Sequence, residues 1–322
     1  MSNKFVKDFT KQETEGVEKL KAKLPEILKA AFDNETPYTL WNVKLDKDST
    51  DERLSVLLVK FLRAREHNVE IAAEMLTNTL RWRKEFKADE ILEESFDQEV
   101  FGSVGYTYET DKDGRPVCYN FYGDLDQEKV FGDVQRFVRW RVQLMEKSVQ
   151  LVDLEKVDSM IQVHDYNGVS MFGRSANSKA ATKEIIKIMQ DNYPEYLALK
   201  YFVNIPWWGS KIYNLIKSIL PETTTRKFRV CSSDELLDTL TQQIPKENLP
   251  AVYVSGNGKK KEVSSSKQPE QPEQVLAESS KKEEEQAENE QQSEKAEQSK
   301  VTDELKKEEP EGPAAAIEAV KA

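Results

Sequence analysis

The sequence predicts an α/β protein: a helical N-terminal lobe, then a mainly parallel sheet crossed by helices, then a disordered acidic tail. Three observations carry this. Apolar residues recur at helical spacing through the first quarter of the chain. From Val104 onward, short apolar runs alternate with helical stretches, as parallel strands with helical crossovers require. After Val254 the composition changes, and from Glu262 to Ala322 there is no aromatic residue.

Of the 322 residues, 38% are hydrophobic and 33% charged, with a formal net charge of −11. The charge is segregated. Glu262–Ala322 holds 17 acids and 8 bases, leaving 41 acids and 39 bases before it. The acidity therefore belongs to the tail, which cannot bury enough apolar surface to offset its ordering entropy. This places boundaries at residues 1–95 for the helical lobe, 96–256 for the sheet domain and 257–322 for the tail. The alternative for the tail is a charged, partly helical linker.

Several function classes drop out. The sheet domain and helical lobe are nearly neutral, without a basic stripe interleaved with aromatics, so nucleic acid is a poor partner. Cys118 and Cys231 lie far apart and outside any CxxC spacing, which argues against a disulfide framework or a zinc site. Met1–Glu13 has no apolar h-region. No run approaches the roughly 20 apolar residues of a membrane span. The expectation is a cytosolic protein whose membrane contact is peripheral. Dinucleotide, phosphate-loop, zincin and nucleophile-elbow motifs are all missing. Two histidines in the whole chain leave little room for a Ser/His/Asp or multi-histidine site.

Taken in order, Val17, Leu20, Leu24, Ile27 and Leu28 mark the first helical stretch. Asp51-Glu52 opens the next helix with acids at its positive end, and Leu54, Leu57, Leu58, Phe61 and Leu62 form its stripe. A third helix starts at Val69, with Ala72, Ala73, Leu76, Leu80 and Trp82 facing inward; His67 falls between helices and reads as an exposed linker residue. Val104–Tyr108 and Pro116–Tyr122 flank Asp113-Gly114, a hairpin signal. Then follow a helix over Val134–Val152, a strand over Met160–Val163, a helix near Lys179–Asn192, and a strand over Tyr201–Ile205. A helix near Ser210–Leu220, a strand over Phe228–Cys231, and apolar runs at Leu236–Ile244 and Leu249–Val254 complete the order.

Three segments carry the chemistry. In an extended Gln162–Tyr166 strand, His164 and Tyr166 share one face and Asp165 takes the other. The following Asn167-Gly168 ends the strand, and ligands of open α/β sheets gather at such carboxyl ends. From spacing alone the pair reads either as a ligand or metal site or, more commonly, as a hydrogen-bonded core histidine beside a buried tyrosine. In the helix after Pro206, Trp208, Ile212, Leu215, Ile216 and Ile219 make an apolar stripe, with Lys211 and Lys217 adding charge. Such a stripe is usually core packing, but Trp207-Trp208 at its start favours an interfacial role. Arg139 and Arg141 are about 200° apart around their helix, so one points out while the other turns toward the sheet. An inward arginine needs an anionic partner, from the protein or from a ligand.

The order Lys60-Phe61-Leu62-Arg63-Ala64-Arg65, Leu80-Arg81-Trp82-Arg83-Lys84, Asn192-Tyr193-Pro194-Glu195 and Tyr201–Pro206 resembles the CRAL-TRIO family of lipid-binding proteins, related to the yeast Sec-fourteen phosphatidylinositol transfer protein. The likeness spans Leu54–Val254. Segments Arg139–Lys147 and Gln162–Ser170 resemble a fungal non-classical branch whose members also bind haem b. The resemblance implies a non-enzymatic carrier of phosphatidylinositol that supports phosphoinositide homeostasis from the cytoplasm, with peripheral contact at endoplasmic reticulum or plasma membrane. It implies that the helix over Trp208–Leu220 is a gate, with Glu195 and Lys217 holding the lipid headgroup. Glu66 stands where other members carry a lysine, a departure from the usual headgroup pattern. For the haem branch it implies Tyr166 as iron ligand, His164 beside it, and Tyr122, Arg141 and Lys200 lining the site. A buried phenol ionises only near positive charge, and Arg141 is the candidate for it. Some haem-binding relatives carry a tyrosine at the position of Arg65. The resemblance also implies a role in oxidant stress, and as an alternative a dedicated haem carrier or sensor without lipid transfer.

Overall fold

A computed structural model describes residues 3–33, 37–169, 175–206 and 225–254. The chain divides into residues 1–258 with 314–322, and residues 259–313; every described residue belongs to the first unit. The acidic tail, and the gate segment with Trp207, Trp208 and Lys217, lie outside the described residues.

The N-terminal lobe is built from α1 (Lys4–Lys7), α2 (Lys11–Ala22), α3 (Leu24–Phe32), α4 (Glu52–Arg63) and α5 (Val69–Phe86). Local capping sets their starts. Thr10 and Glu13 form a reciprocal capping box on α2; Asp51 caps α4 and Asn68 caps α5. The α4 stripe is fully buried, and so are Ala72, Leu76 and Leu80 of α5. Trp82 is half-buried, stacked on Phe86. His67 is also half-buried rather than exposed, because a left-handed Glu66-His67 link folds the chain back on α4, where the His67 amide donates to the Leu62 carbonyl.

The lobe also holds a small hairpin that periodicity did not reveal, β1 (Tyr38–Leu40) with β2 (Val43–Leu45). Its two-residue turn is Trp41-Asn42, both at positive φ, where Asn-Gly would be the readable signal. Tertiary contacts hold Trp41 in that conformation. Its indole packs on Tyr193 and Tyr196, and Nε1 donates to Glu146.

The central sheet runs β3 (Gly105–Thr110), β4 (Pro116–Phe121), β5 (Met160–Asp165), β6 (Leu197–Val203), β7 (Phe228–Val230), in sequence order. The β3–β4 pair is an antiparallel hairpin turned at Gly114 (φ 82°); the others pair in parallel. Among the described residues, four helices precede or cross the strands: α6 (Gln98–Phe101), α7 (Gln127–Phe131), α8 (Val134–Val149) and α9 (Ala176–Asn192). Strand β6 begins four residues before the expected Tyr201, and α8 stops three residues before Val152. The Leu249–Val254 run is a turn leading into a short helix, Ala251–Val254.

Alternation sorts the sheet into two faces. Tyr119, Ile161, Val163, Tyr201 and Val203 face a core closed by Leu240, Ile244, Leu249 and Tyr253 from the C-terminal elements. Their neighbours one residue along, Asn120, Gln162, His164 and Lys200, face α8 and α9. The two lobes share one core: Val138, Val142, Met145 and Val149 of α8 pack among the side chains of α2–α5. At its centre Glu146, 2% exposed, accepts from Arg83 Nη1 at 2.6 Å, Tyr193 Oη at 2.6 Å and Trp41 Nε1 at 3.3 Å. Arg83 also reaches Asp89 at 2.7 Å. A carboxylate so surrounded is satisfied inside the protein, which is the condition for burying a charge.

Candidate ligand site

The polar sheet face and α8–α9 line a partly open cavity. Its sheet wall comes from β4, β5 and β6. Register places Asn120, His164 and Phe202 in one row, with Gln162 and Lys200 adjacent in the row before. The strands continue one residue beyond their regular ends: the Tyr122 amide donates to the Asp165 carbonyl and the Tyr166 amide to Val203, each at 3.0 Å. Those bonds set Tyr122 and Tyr166 side by side, ring centroids 5.3 Å apart. Gly123 makes the neighbouring loops fit. A Cβ there would stand 1.4 Å from the Asn167 carbonyl oxygen, so only glycine allows the two backbones to close at this rim.

All five residues expected around haem line this one cavity: Tyr122, Arg141, His164, Tyr166 and Lys200. His164 is buried and hydrogen-bonded on both ring nitrogens, to Tyr122 Oη at 2.8 Å through Nδ1 and to Gln162 Oε1 at 3.2 Å through Nε2. Burial first, then Lys200 and Arg141, push its pKa well below the usual histidine range, so the ring is neutral. A neutral ring has one donor and one acceptor. With Gln162 Oε1 as acceptor, Nε2 carries the proton and Nδ1 accepts from Tyr122. Asp165, on the other face, accepts from Asn204 Nδ2 and the Asn167 amide, each at 2.8 Å.

Two cations stand in the cavity wall. Arg141 is 6% exposed and Lys200 2% exposed. Arg141 Nη1 has no hydrogen-bond partner, and neither side chain meets a carboxylate among the described residues. Burial, then Arg141, push the Lys200 amine down to about 7. Arg139 is the outward one of the arginine pair: it grips Glu94 and donates to the Phe86 carbonyl at 2.8 Å. The remaining walls are apolar, chiefly Phe137 and Trp140 of α8 and Ile185, Ile186 and Met189 of α9.

Glu195 does not line this cavity. It precedes β6 at positive φ, with Lys227 Nζ at 2.9 Å from its carboxylate and Lys60 Nζ at 2.9 Å from its carbonyl oxygen. Lys60 is fully buried; burial, only partly countered by Asp158 and Glu195, lowers its pKa to about 8. Arg65 donates to the Ala64 carbonyl, beside the exposed Glu66. Sequence reasoning missed the Gln162 contact, although Gln162 shares the period-two face of His164, and it missed Lys227 and Lys60 around Glu195. Nothing in the linear sequence brings those lysines together.

A partly open, largely apolar cavity roofed by two helices, with two cations in its wall, defines a pocket protein. Comparison gives the family. The CRAL/TRIO domain matches residues 101–254, and the CRAL/TRIO N-terminal domain residues 16–78. The chain is 36% identical over 271 residues to phosphatidylinositol transfer protein SFH5 of Meyerozyma guilliermondii, covering 77% of this chain and 79% of that one. It is 38% identical over 247 residues to phosphatidylinositol transfer protein sfh5 of Aspergillus oryzae, covering 72% and 53%. It is 35% identical over 259 residues to Patellin-6 of Arabidopsis thaliana, covering 77% and 60%. The crystal structure of Sfh5 aligns with a TM-score of 0.62 at 32% identity, over 72% of this chain and 83% of that chain. The chain belongs to the CRAL/TRIO family. It spans 60% or less of the length of the patellins it matches.

Proposed function

We propose that the chain binds phosphatidylinositol and carries it between membranes, supporting phosphoinositide homeostasis without catalysing a reaction. The observation behind this reading is the cavity itself, apolar along α8 and α9 and partly open. Two relatives are named as phosphatidylinositol transfer proteins. Acyl chains suit the Phe137–Met189 walls. The headgroup belongs with Glu195, whose carboxylate can accept inositol hydroxyls while Lys227 and Lys217 offer charge to the phosphate. Among the described residues no helix is long and apolar enough to cross a membrane. The exchange surface is then peripheral, formed by the segment with Trp207 and Trp208, at endoplasmic reticulum or plasma membrane. The test is to equilibrate the full chain with vesicles containing phosphatidylinositol, re-isolate it and quantify extracted lipid. Stoichiometric loading is expected. Loading no greater than for a vesicle-inert control protein removes the reading.

A specific observation favours a second ligand, haem b: phenol, imidazole and two basic side chains without a carboxylate partner among the described residues converge in the same cavity. Tyr166 would hold the iron through its phenolic oxygen, and Lys200 and Arg141 would receive the propionates. His164, kept neutral and tied to Tyr122, would fix the ring of side chains around that position. When bound, haem would supply a redox-active iron, which is the basis for a role in oxidant stress. An absorption spectrum decides it: a Soret band lost in Tyr166→Phe is expected, and a featureless spectrum after haemin addition rules haem out.

A further inference from the structure

Arg141 and Lys200 remain uncompensated once phosphatidylinositol is placed. On that reading its phosphate lies with Lys227 and Lys217 beside Glu195, and its acyl chains bring no charge to the cavity floor. The acids nearby are committed elsewhere: Glu146 to Arg83 and Tyr193, Asp165 to Asn204 and the Asn167 backbone, Glu94 to Arg139. His164 is neutral and already hydrogen-bonded. Two buried basic groups without a carboxylate are costly: among the described residues Lys200 Nζ has only the Phe202 ring, 5.6 Å from its centroid, and the Arg141 guanidinium, with Nη1 unbonded, is a ready donor to a planar oxyanion. Around them the walls are aliphatic and aromatic.

We infer that the cavity takes a long-chain carboxylate, a free fatty acid, inserted carboxylate first against Arg141 and Lys200 with its chain along α8 and α9. The inference rests on the reading of this cavity as a lipid site, but names a second lipid class with a different polar anchor. Haem propionates share the carboxylate chemistry, so the experiment separates the two sources.

The delipidated full chain is titrated with oleate, methyl oleate and protoporphyrin IX. Saturable oleate binding is expected, with methyl oleate weaker by about 10- to 100-fold, the loss of one or two charge-assisted hydrogen bonds. Lys200→Met and Arg141→Met should each weaken oleate by a similar factor. The ester comparison uses the unmodified protein, so it stands even if a variant misfolds. Equal binding of oleate and its methyl ester overturns the inference, and so does oleate affinity unchanged in both variants. Tighter binding of protoporphyrin than of oleate, lost in the same variants, assigns the pair to propionates and overturns the fatty-acid assignment. Failure of phosphatidylinositol loading alongside normal oleate binding would remove the transfer reading and leave this one standing.

Discussion

Lys200 shows most directly how one side chain couples the fold to its ligand. Its folded pKa of about 7 lies below the ordinary lysine value of 10.5, so the folded state holds this proton less tightly than the unfolded chain does. The cost of charging Lys200 is therefore fully present below about pH 7 and lifts as pH rises toward the ordinary lysine range. Lys60, pushed down to about 8, acts in the same direction. The ligand-free protein is predicted to gain stability between about pH 7 and pH 9, and Lys200→Met to flatten that rise and to be more stable at pH 6 by up to about 5 kcal/mol. Denaturant melts across pH measure this; an unchanged slope in Lys200→Met contradicts it. An anionic ligand keeps the lysine charged, so its affinity should fall as pH rises. At this scale the sequence was half legible. Period-two alternation placed His164 and Tyr166 on one face, and the 200° separation put Arg139 and Arg141 on opposite sides of their helix, while which of them turned inward came only from the resemblance. Whether that inward arginine met a protein acid could not be read, because its absent partner is a fact of three dimensions.

Between elements, α8 does two jobs with opposite faces. One face roofs the cavity through Phe137, Trp140 and Arg141; the other enters the helical lobe and carries Glu146 to Arg83, Tyr193 and Trp41. Removing one partner strands the other. Arg83→Met is predicted to destabilise the protein by about 3–5 kcal/mol, and Glu146→Gln by somewhat less because its amide can still accept. Chemical denaturation checks both; changes within about 0.5 kcal/mol would show that the lobes do not depend on this pair. The rim of the cavity depends similarly on Gly123. Gly123→Ala should separate the loops after β4 and β5, lowering ligand affinity with little change in far-ultraviolet dichroism, and normal affinity would show that the rim tolerates a wider gap. Long, strongly periodic helices and the parallel strands were legible here to within a few residues. The β1–β2 hairpin was not, because its turn conformation is imposed on Trp41 by Tyr193, Tyr196 and Glu146, all more than 100 residues away in the chain. The same remoteness hid Lys227 and Lys60 beside Glu195.

For the whole molecule, the segregation visible in composition matches where the site lies. Among the described residues, those lining the cavity fall between Val104 and Lys200, and the family match ends at Val254. Deleting residues 257–322 is therefore predicted to leave ligand loading unchanged within about twofold, well under 1 kcal/mol. Several motif residues behind the resemblance are structural: Lys60 and Arg83 bond from the helical lobe to the sheet domain, and Tyr193 packs on Trp41 and Trp82 of the helical lobe. Arg141, His164 and Tyr166 of the cavity wall lie in the segments Arg139–Lys147 and Gln162–Ser170 that carried the finer resemblance. The most direct test is transfer of labelled phosphatidylinositol from donor to acceptor vesicles by the full chain. The account predicts saturable transfer above the spontaneous rate, reduced about tenfold in Glu195→Ala, the equivalent of about one charge-assisted hydrogen bond. Transfer no faster than in vesicles alone would contradict it.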